Sequence, residues 1–200
     1  QQVILLALAL SFARDFEDKY FNKLVGFSKI SLLHVAIKVI PFYILSIIPF
    51  ATMAYMFSYF QIDMPILTLS MFKLCFAFAT ACIFLGLLVS VLLPNQLQAT
   101  EILMLIATPS FIIGGFTWPL QEMNHTIQVV ARAIPLTSFL EGFRKLVVYK
   151  AEYSDISYQI GVLGKISLFS FIATILILQL RIYLAGRTEK KAATTKRATN

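Results

Sequence analysis

The feature that most constrains this chain is a set of long runs without charge. Residues 39–62, 74–100 and 102–121 carry no charged side chain, and residues 156–180 carry only Lys165. Each reaches the roughly 20 residues needed to cross a hydrocarbon core about 30 Å thick. Composition points the same way. Hydrophobic residues are 58% of the chain and charged residues 14%, against about 45–50% and about 25% in soluble domains. Mean hydropathy is +0.79. The fold class read from the sequence is all-α, a polytopic helical membrane protein.

Charge placement gives a topology. The net charge of +7 is gathered after the first apolar run, at Arg14, Lys19, Lys23, Lys29 and Lys38. It is gathered again after the last, at Arg181, Arg187, Lys190, Lys191, Lys196 and Arg197. Basic residues concentrate on cytoplasmic flanks, so both places read as inside, and nucleic acid is not implied. Residues 61–65 carry no Lys or Arg, as an outer loop should. The first run then goes from outside to inside, three more crossings follow, and the last ends inside.

The segments fall out in order. Residues 1–13 read as the second half of a transmembrane helix. Residues 11–30 repeat Phe12, Phe16, Tyr20 and Leu24 every four positions between charged faces, an amphipathic helix. It either rests on headgroups or docks a cytosolic partner. Residues 31–60, with Pro41 and Pro49, form a kinked crossing. Residues 66–93 and 101–116 form two more, joined by a polar inner turn. Glu101 complements the helix dipole there. Residues 156–185 form the last crossing, and residues 186–200 a basic cytoplasmic tail without apolar periodicity, read as disordered.

Residues 117–150 behave differently. Gly114-Gly115 permits a sharp turn, and Trp118 suits the membrane–water interface. Met123, Ile127, Val130 and Ile134 make one apolar stripe, and Leu136, Phe139, Leu140, Phe143 and Val147 another. Glu141 and Lys145 stand at i, i+4, a pairing distance. Neither stripe is long enough to cross, so the expectation is a re-entrant or interfacial pair of short helices, hinged at Pro135, that lies at the outer face or dips into the outer leaflet.

Chemistry is mostly missing. Cys75 and Cys82 lie inside a spanning run, which suits small apolar fillers. His34 and His125 fall on opposite sides of the membrane in this topology, so they cannot share a metal. Gly161–Ser167, GVLGKIS, has the wrong glycine spacing for a phosphate loop and an Ile after its Lys. Asn124-His125-Thr126 fits a glycosylation acceptor, a tripeptide common by chance. Lys73 and Lys165 lie within crossings; they either snorkel to headgroups or line a lateral opening that attracts an anionic substrate or headgroup.

The ordered motifs resemble the permease of an ATP-binding cassette exporter of the ABC-2 type, over about residues 11–184. Arg14 and Glu17 stand where that family's connecting helix begins with R-E-x-E. Lys38 and Pro41 resemble its G-K-x-x-P, and Asn95-Gln96-Leu97-Gln98-Ala99 its polar inner turn. Pro109-Ser110 with Gly115-Phe116-Thr117-Trp118-Pro119-Leu120 resembles P-x-x-x-x-S-G-F-x-[FW]-P. Pro135-Leu136-Thr137, Phe139 and Arg144 resemble the P-L-x-x-F-x-x-x-x-R that follows. Departures include Lys19-Tyr20 for Gly-Thr, Phe27-Ser28 for Thr-Pro, and Asn124 where Pro often follows Met.

The resemblance implies a type V exporter-like transmembrane domain, of which this chain holds the C-terminal portion. A first crossing and an external domain would precede Gln1. Residues 11–30 become the coupling helix, with Arg14, Phe16, Glu17, Tyr20, Phe21 and Leu24 docking an ABC ATPase. Gly114, Gly115, Trp118, Pro119, Pro135 and Arg144 become an outer gate. No cofactor is bound by this chain; ATP and Mg would sit on the partner ATPase, and a second permease copy or paralogue would complete the translocase. The place implied is the bacterial inner membrane, with the C-terminus cytoplasmic. The substrate class is amphipathic or hydrophobic, drug or lipid-like. The alternatives are a polysaccharide or lipid-linked glycan exporter and, from another class, an integral membrane enzyme or assembly factor.

Overall fold

The computed structural model describes residues 30–60, 68–93, 95–115, 119–150 and 153–198. The first apolar run, residues 11–29 of the expected coupling helix, and residues 61–67 lie outside them. Among the described residues all regular structure is helical. In order come α1 (Ile30–Tyr59), α2 (Leu69–Leu92), α3 (Gln96–Ile113), a single 3-10 turn (Leu120–Glu122), α4 (His125–Arg132), α5 (Pro135–Val148) and α6 (Tyr153–Ala198).

Among the described residues three helical stretches are long and apolar enough to cross a membrane: Val39–Tyr59 of α1, all of α2, and Tyr153–Leu180 of α6. α3 is shorter. Its 18 residues rise about 27 Å, just under a hydrocarbon core. It starts at Gln96, earlier than the sequence expectation of 101–116. Gln and Ala tolerate a helix well, so most of the expected inner turn is wound into it. The basic tail also departs from expectation. α6 continues through Ala198, where Ala, Lys, Glu and Arg dominate with no proline to stop the helix.

α2 is the organising element. Its buried residues include Met71, Leu74, Ala81, Cys82, Ile83, Gly86, Leu87 and Ser90, which spread over more than half of the helix surface, while Phe72 and Phe76 stay exposed on the remaining face. Met71, Leu74 and Ala81 meet Leu146 of α5 and Ile156 and Leu163 of α6, with Phe78, Phe139 and Phe143 packed alongside. Cys82 packs with Ala99 and Leu103 of α3, and Ile83 and Leu87 with Val39 of α1. Both cysteines are free.

α6 meets this core through a regular stripe: Ile156, Gln159, Leu163, Ser167, Ser170, Thr174 and Leu178 are all buried. Small residues let helices approach closely in a bilayer, where no water-driven term separates buried from lipid-facing surface. The Thr174 hydroxyl donates to the Ser170 carbonyl at 2.7 Å, so a polar group on that stripe is satisfied within its own helix. The opposite face presents Tyr158, Leu168, Phe169, Ile172 and Leu176 outward.

α5 turns Ser138, Gly142 and Leu146 to the core, with its apolar stripe packed along the edge of that contact. Ser138, Gly142 and Leu146 are buried, whereas Leu136, Phe139, Leu140, Phe143 and Val147 are half-buried. A Cβ on Gly142 would stand 2.9 Å from a methyl of the fully buried Leu74. The close approach lets Phe139 stack on Phe78, centroids 4.3 Å apart.

Candidate functional site: the turn after α3 and the clefts beside it

α3 ends because the chain reaches two glycines. The Gly114 N–H donates to the Ser110 carbonyl at 2.9 Å and closes the last turn. Gly115 then takes φ +84°, a left-handed conformation that a Cβ opposes. Both glycines are buried. After Pro119, which is exposed, the 3-10 turn leads to α4. Pro135 starts α5 at the first helical position, where its missing N–H costs nothing and its φ is already helical.

One long-range hydrogen bond ties this turn to α5. Arg144 Nη2 donates to the Gly115 carbonyl at 2.9 Å. That carbonyl is freed by the end of α3, and a guanidinium is well suited to hold it. Gly114, Gly115 and Arg144, all singled out from the sequence, therefore meet in space. They share the wall of a half-open polar cavity of about 250 Å³ with Leu120, Leu140, Glu141, Lys145, Tyr149 and Gln159. Pro135 sits buried at the start of α5, and Trp118 lies outside the described residues.

Six residues of this cavity were not assigned to it from the sequence: Leu120, Leu140, Glu141, Lys145, Tyr149 and Gln159. Glu141 and Lys145 read as a helix-surface pair. Instead, Lys145 Nζ donates to the Asp155 carbonyl at 3.0 Å, bridging α5 to the start of α6. Tyr149 sits just past α5. Gln159 occupies a buried position of the α6 stripe, 4% exposed, and its Oε1 has no hydrogen-bond partner. A long polar side chain between Ile156 and Leu163 on that stripe was the available signal.

α4 lies beside the turn with only Ala131 buried. Ile127 and Val130 of the stripe read from the sequence point outward together with Val129, while Met123 and Ile134 are half-buried. Gln128 caps the segment by donating from Nε2 to the Met123 carbonyl at 2.9 Å.

A second, apolar cleft of about 210 Å³ opens between α1 and α2, lined by Tyr43, Ser46, Ile47, Phe50, Phe72, Cys75, Phe76 and Ala79. Tyr43 stacks on Phe76 at 5.5 Å between centroids, and Phe72 continues the stack at 6.4 Å. The Tyr43 hydroxyl donates to Thr80 Oγ1 at 3.0 Å, so its polar tip is occupied and the ring faces the cleft.

The two candidate lysines separate. Lys73 Nζ lies 4.3 Å from the centre of the Tyr153 ring, a cation–π contact that joins the starts of α2 and α6. Lys165 is exposed on α6, one residue after Gly164, whose Cα faces open space. Neither lines the two clefts. Among the described residues no group of three His, Cys, Asp or Glu side chains is placed to hold a metal. The coupling-helix residues Arg14, Phe16, Glu17, Tyr20, Phe21 and Leu24 lie outside the described residues.

Spanning helices packed around α2, with a glycine turn and two short helices gathered at one end, define a multi-pass membrane protein. Its sequence matches the profile of the ABC-2 type transporter family over residues 5–148. The chain belongs to that family: it is an ABC-2 membrane permease domain, the part of an ABC transporter that carries no ATPase activity itself. Such permeases generally pair with ABC ATPase subunits. No curated protein and no solved structure matches the chain significantly.

Proposed function

We propose that this chain is the permease of an ATP-driven exporter that moves an amphipathic or hydrophobic substrate, drug or lipid-like, outward by alternating access. The observation that carries the substrate class is the apolar cleft between α1 and α2. It is walled by rings and methyl groups, it is half-open, and its one phenol is already bonded to Thr80. A site of that kind rewards apolar area and offers few polar groups to recognise a sugar or an ion.

In this reading α3 is a fourth crossing, and the end that holds Tyr59, Leu69 and Tyr153 is the outer one. Residues 11–30 dock the ATPase through Phe16, Tyr20, Phe21 and Leu24, with Arg14 and Glu17 fixing the helix. ATP and Mg act on that partner. Closure of two ATPases moves the docking helices, and the crossings rearrange along a path shared with a second permease. A ligand shifts that equilibrium only through its differential affinity for the two states. Gly114, Gly115, Trp118, Pro119, Pro135 and Arg144 form the outer gate, supported by the clasp of Arg144 on the Gly115 carbonyl. Lys73 and Lys165 stand as contacts for an anionic group. Replacing both with Gln and finding every substrate transported unchanged would remove them from that role.

A glycan exporter is the second reading, favoured by the Tyr43–Phe76–Phe72 ring stack. The test is ATP-dependent transport in vesicles with the cognate ATPase. Tyr43→Ala with Phe76→Ala should raise the KM for a hydrophobic dye severalfold and leave ATPase assembly intact. Loss of glycan export with dye transport untouched would favour the second reading.

A further inference from the structure

The polar cavity holds a charge arrangement that transport alone does not require. Glu141, Arg144 and Lys145 lie within one turn of α5, and Gln159 of α6 completes the wall. Glu141 lies three and four residues before Arg144 and Lys145, so the acid neighbours each base on the helix surface, and all three reach the cavity wall. Both bases are only partly used. Arg144 gives one hydrogen bond to Gly115 and Lys145 one to Asp155, while a guanidinium has five N–H donors and an ammonium three. On the acceptor side, Gln159 Oε1 is buried and unpartnered, an expensive state for a carbonyl oxygen.

An occupant that satisfies this wall must accept from Arg144 and Lys145 and donate to Glu141 and Gln159. A simple anion meets the bases but confronts Glu141 and leaves Gln159 unpaired. A simple cation meets the acid but confronts two bases. A small zwitterion with a phosphate and a primary ammonium answers both halves. The cavity's about 250 Å³ is below the roughly 300–1,000 Å³ of drug-sized ligand sites, a scale suited to a headgroup. Its place supplies the source. It lies near the start of the spanning part of α6 and beside α4, which turns Ile127, Val129 and Val130 outward.

We propose that this cavity binds the headgroup of a phospholipid bearing a primary ammonium. The phosphodiester sits on Arg144 and Lys145, and the ammonium reaches Glu141 and Gln159 Oε1. The proposal rests on reading this end as a membrane–water interface and needs no assumption about transport, so the two are tested separately.

The experiment is native mass spectrometry of the full-length, delipidated protein titrated with phosphatidylethanolamine, phosphatidylcholine and phosphatidylglycerol. One phosphatidylethanolamine should bind about tenfold or more tightly than phosphatidylcholine, because a trimethylammonium donates no hydrogen bond to a charged acceptor. Glu141→Gln and Gln159→Leu should each erase that preference; Glu141→Gln should also tighten phosphatidylglycerol, which no longer meets a like charge, while Gln159→Leu should leave it unchanged. Both leave the Arg144–Gly115 hydrogen bond in place, and unchanged melting temperatures verify the fold. Equal binding of the three lipids, or a preference that survives both substitutions, overturns the site. Displacement of the lipid by equimolar glycerophosphoethanolamine overturns the lipid source and assigns the site to a free zwitterion.

Discussion

Gly115 and Gly142 are the positions where single atoms decide the local structure. At φ +84°, Gly115→Ala places a Cβ in a left-handed conformation at a cost of about 1–2 kcal/mol. It also brings that Cβ to 3.2 Å from Leu120. The expected result is a lower melting temperature together with impaired transport, since the Gly115 carbonyl is what Arg144 holds. Gly142→Val drives a branched side chain into Leu74 and should cost about 1–3 kcal/mol by overpacking, read as melting temperature in detergent. Thr137 points the other way. Its hydroxyl is buried with no partner, so Thr137→Val should leave stability unchanged or raise it by about 1 kcal/mol. The glycine pair and Pro135 were legible in the sequence because backbone chemistry restricts what can stand at a turn. Gln159 was not, because its importance lies in which helix faces it, and one sequence does not record that neighbour.

Among the elements, the short helices α4 and α5 had readable apolar stripes but not a readable orientation. On α5 the buried centre falls on Ser138, Gly142 and Leu146, since the small Ser138 and Gly142 let the helix approach closely while Phe139 and Phe143 pack along the edge of that contact. The same physics hides the partner of Lys73. A lysine near a helix end suits snorkelling, and only the fold brings Tyr153 under it. Lys73→Met should lower stability by about 0.5–1 kcal/mol, the worth of an exposed cation–π contact. For the proposed gate, Trp118→Cys in a cysteine-free background should crosslink between permease copies in one nucleotide state and not the other. Equal crosslinking in both states removes the gate. For the coupling helix, Phe16→Ala with Tyr20→Ala should abolish copurification of the ATPase while the permease still inserts.

For the whole molecule, the uncharged runs were sufficient to establish a helical, multi-pass chain, because a bilayer leaves little freedom in how such runs are used. The family followed from the order of short motifs and stands on the match over residues 5–148. The ends of helices were read less well. Gln96 and the tail to Ala198 belong to helices although their polarity reads as loop, since helix propensity and polarity are separate properties of Gln, Lys and Glu. The clefts were not legible at all, being products of packing between distant segments. The proposed function is coupling of a partner's ATP hydrolysis to outward movement of an apolar substrate. The most direct test is uptake of a hydrophobic fluorescent substrate into inside-out proteoliposomes holding the full-length permease and its ATPase. Uptake should require ATP and Mg and be lost in the Phe16→Ala, Tyr20→Ala double variant. Uptake that proceeds without ATP, or persists in that variant, would contradict that function.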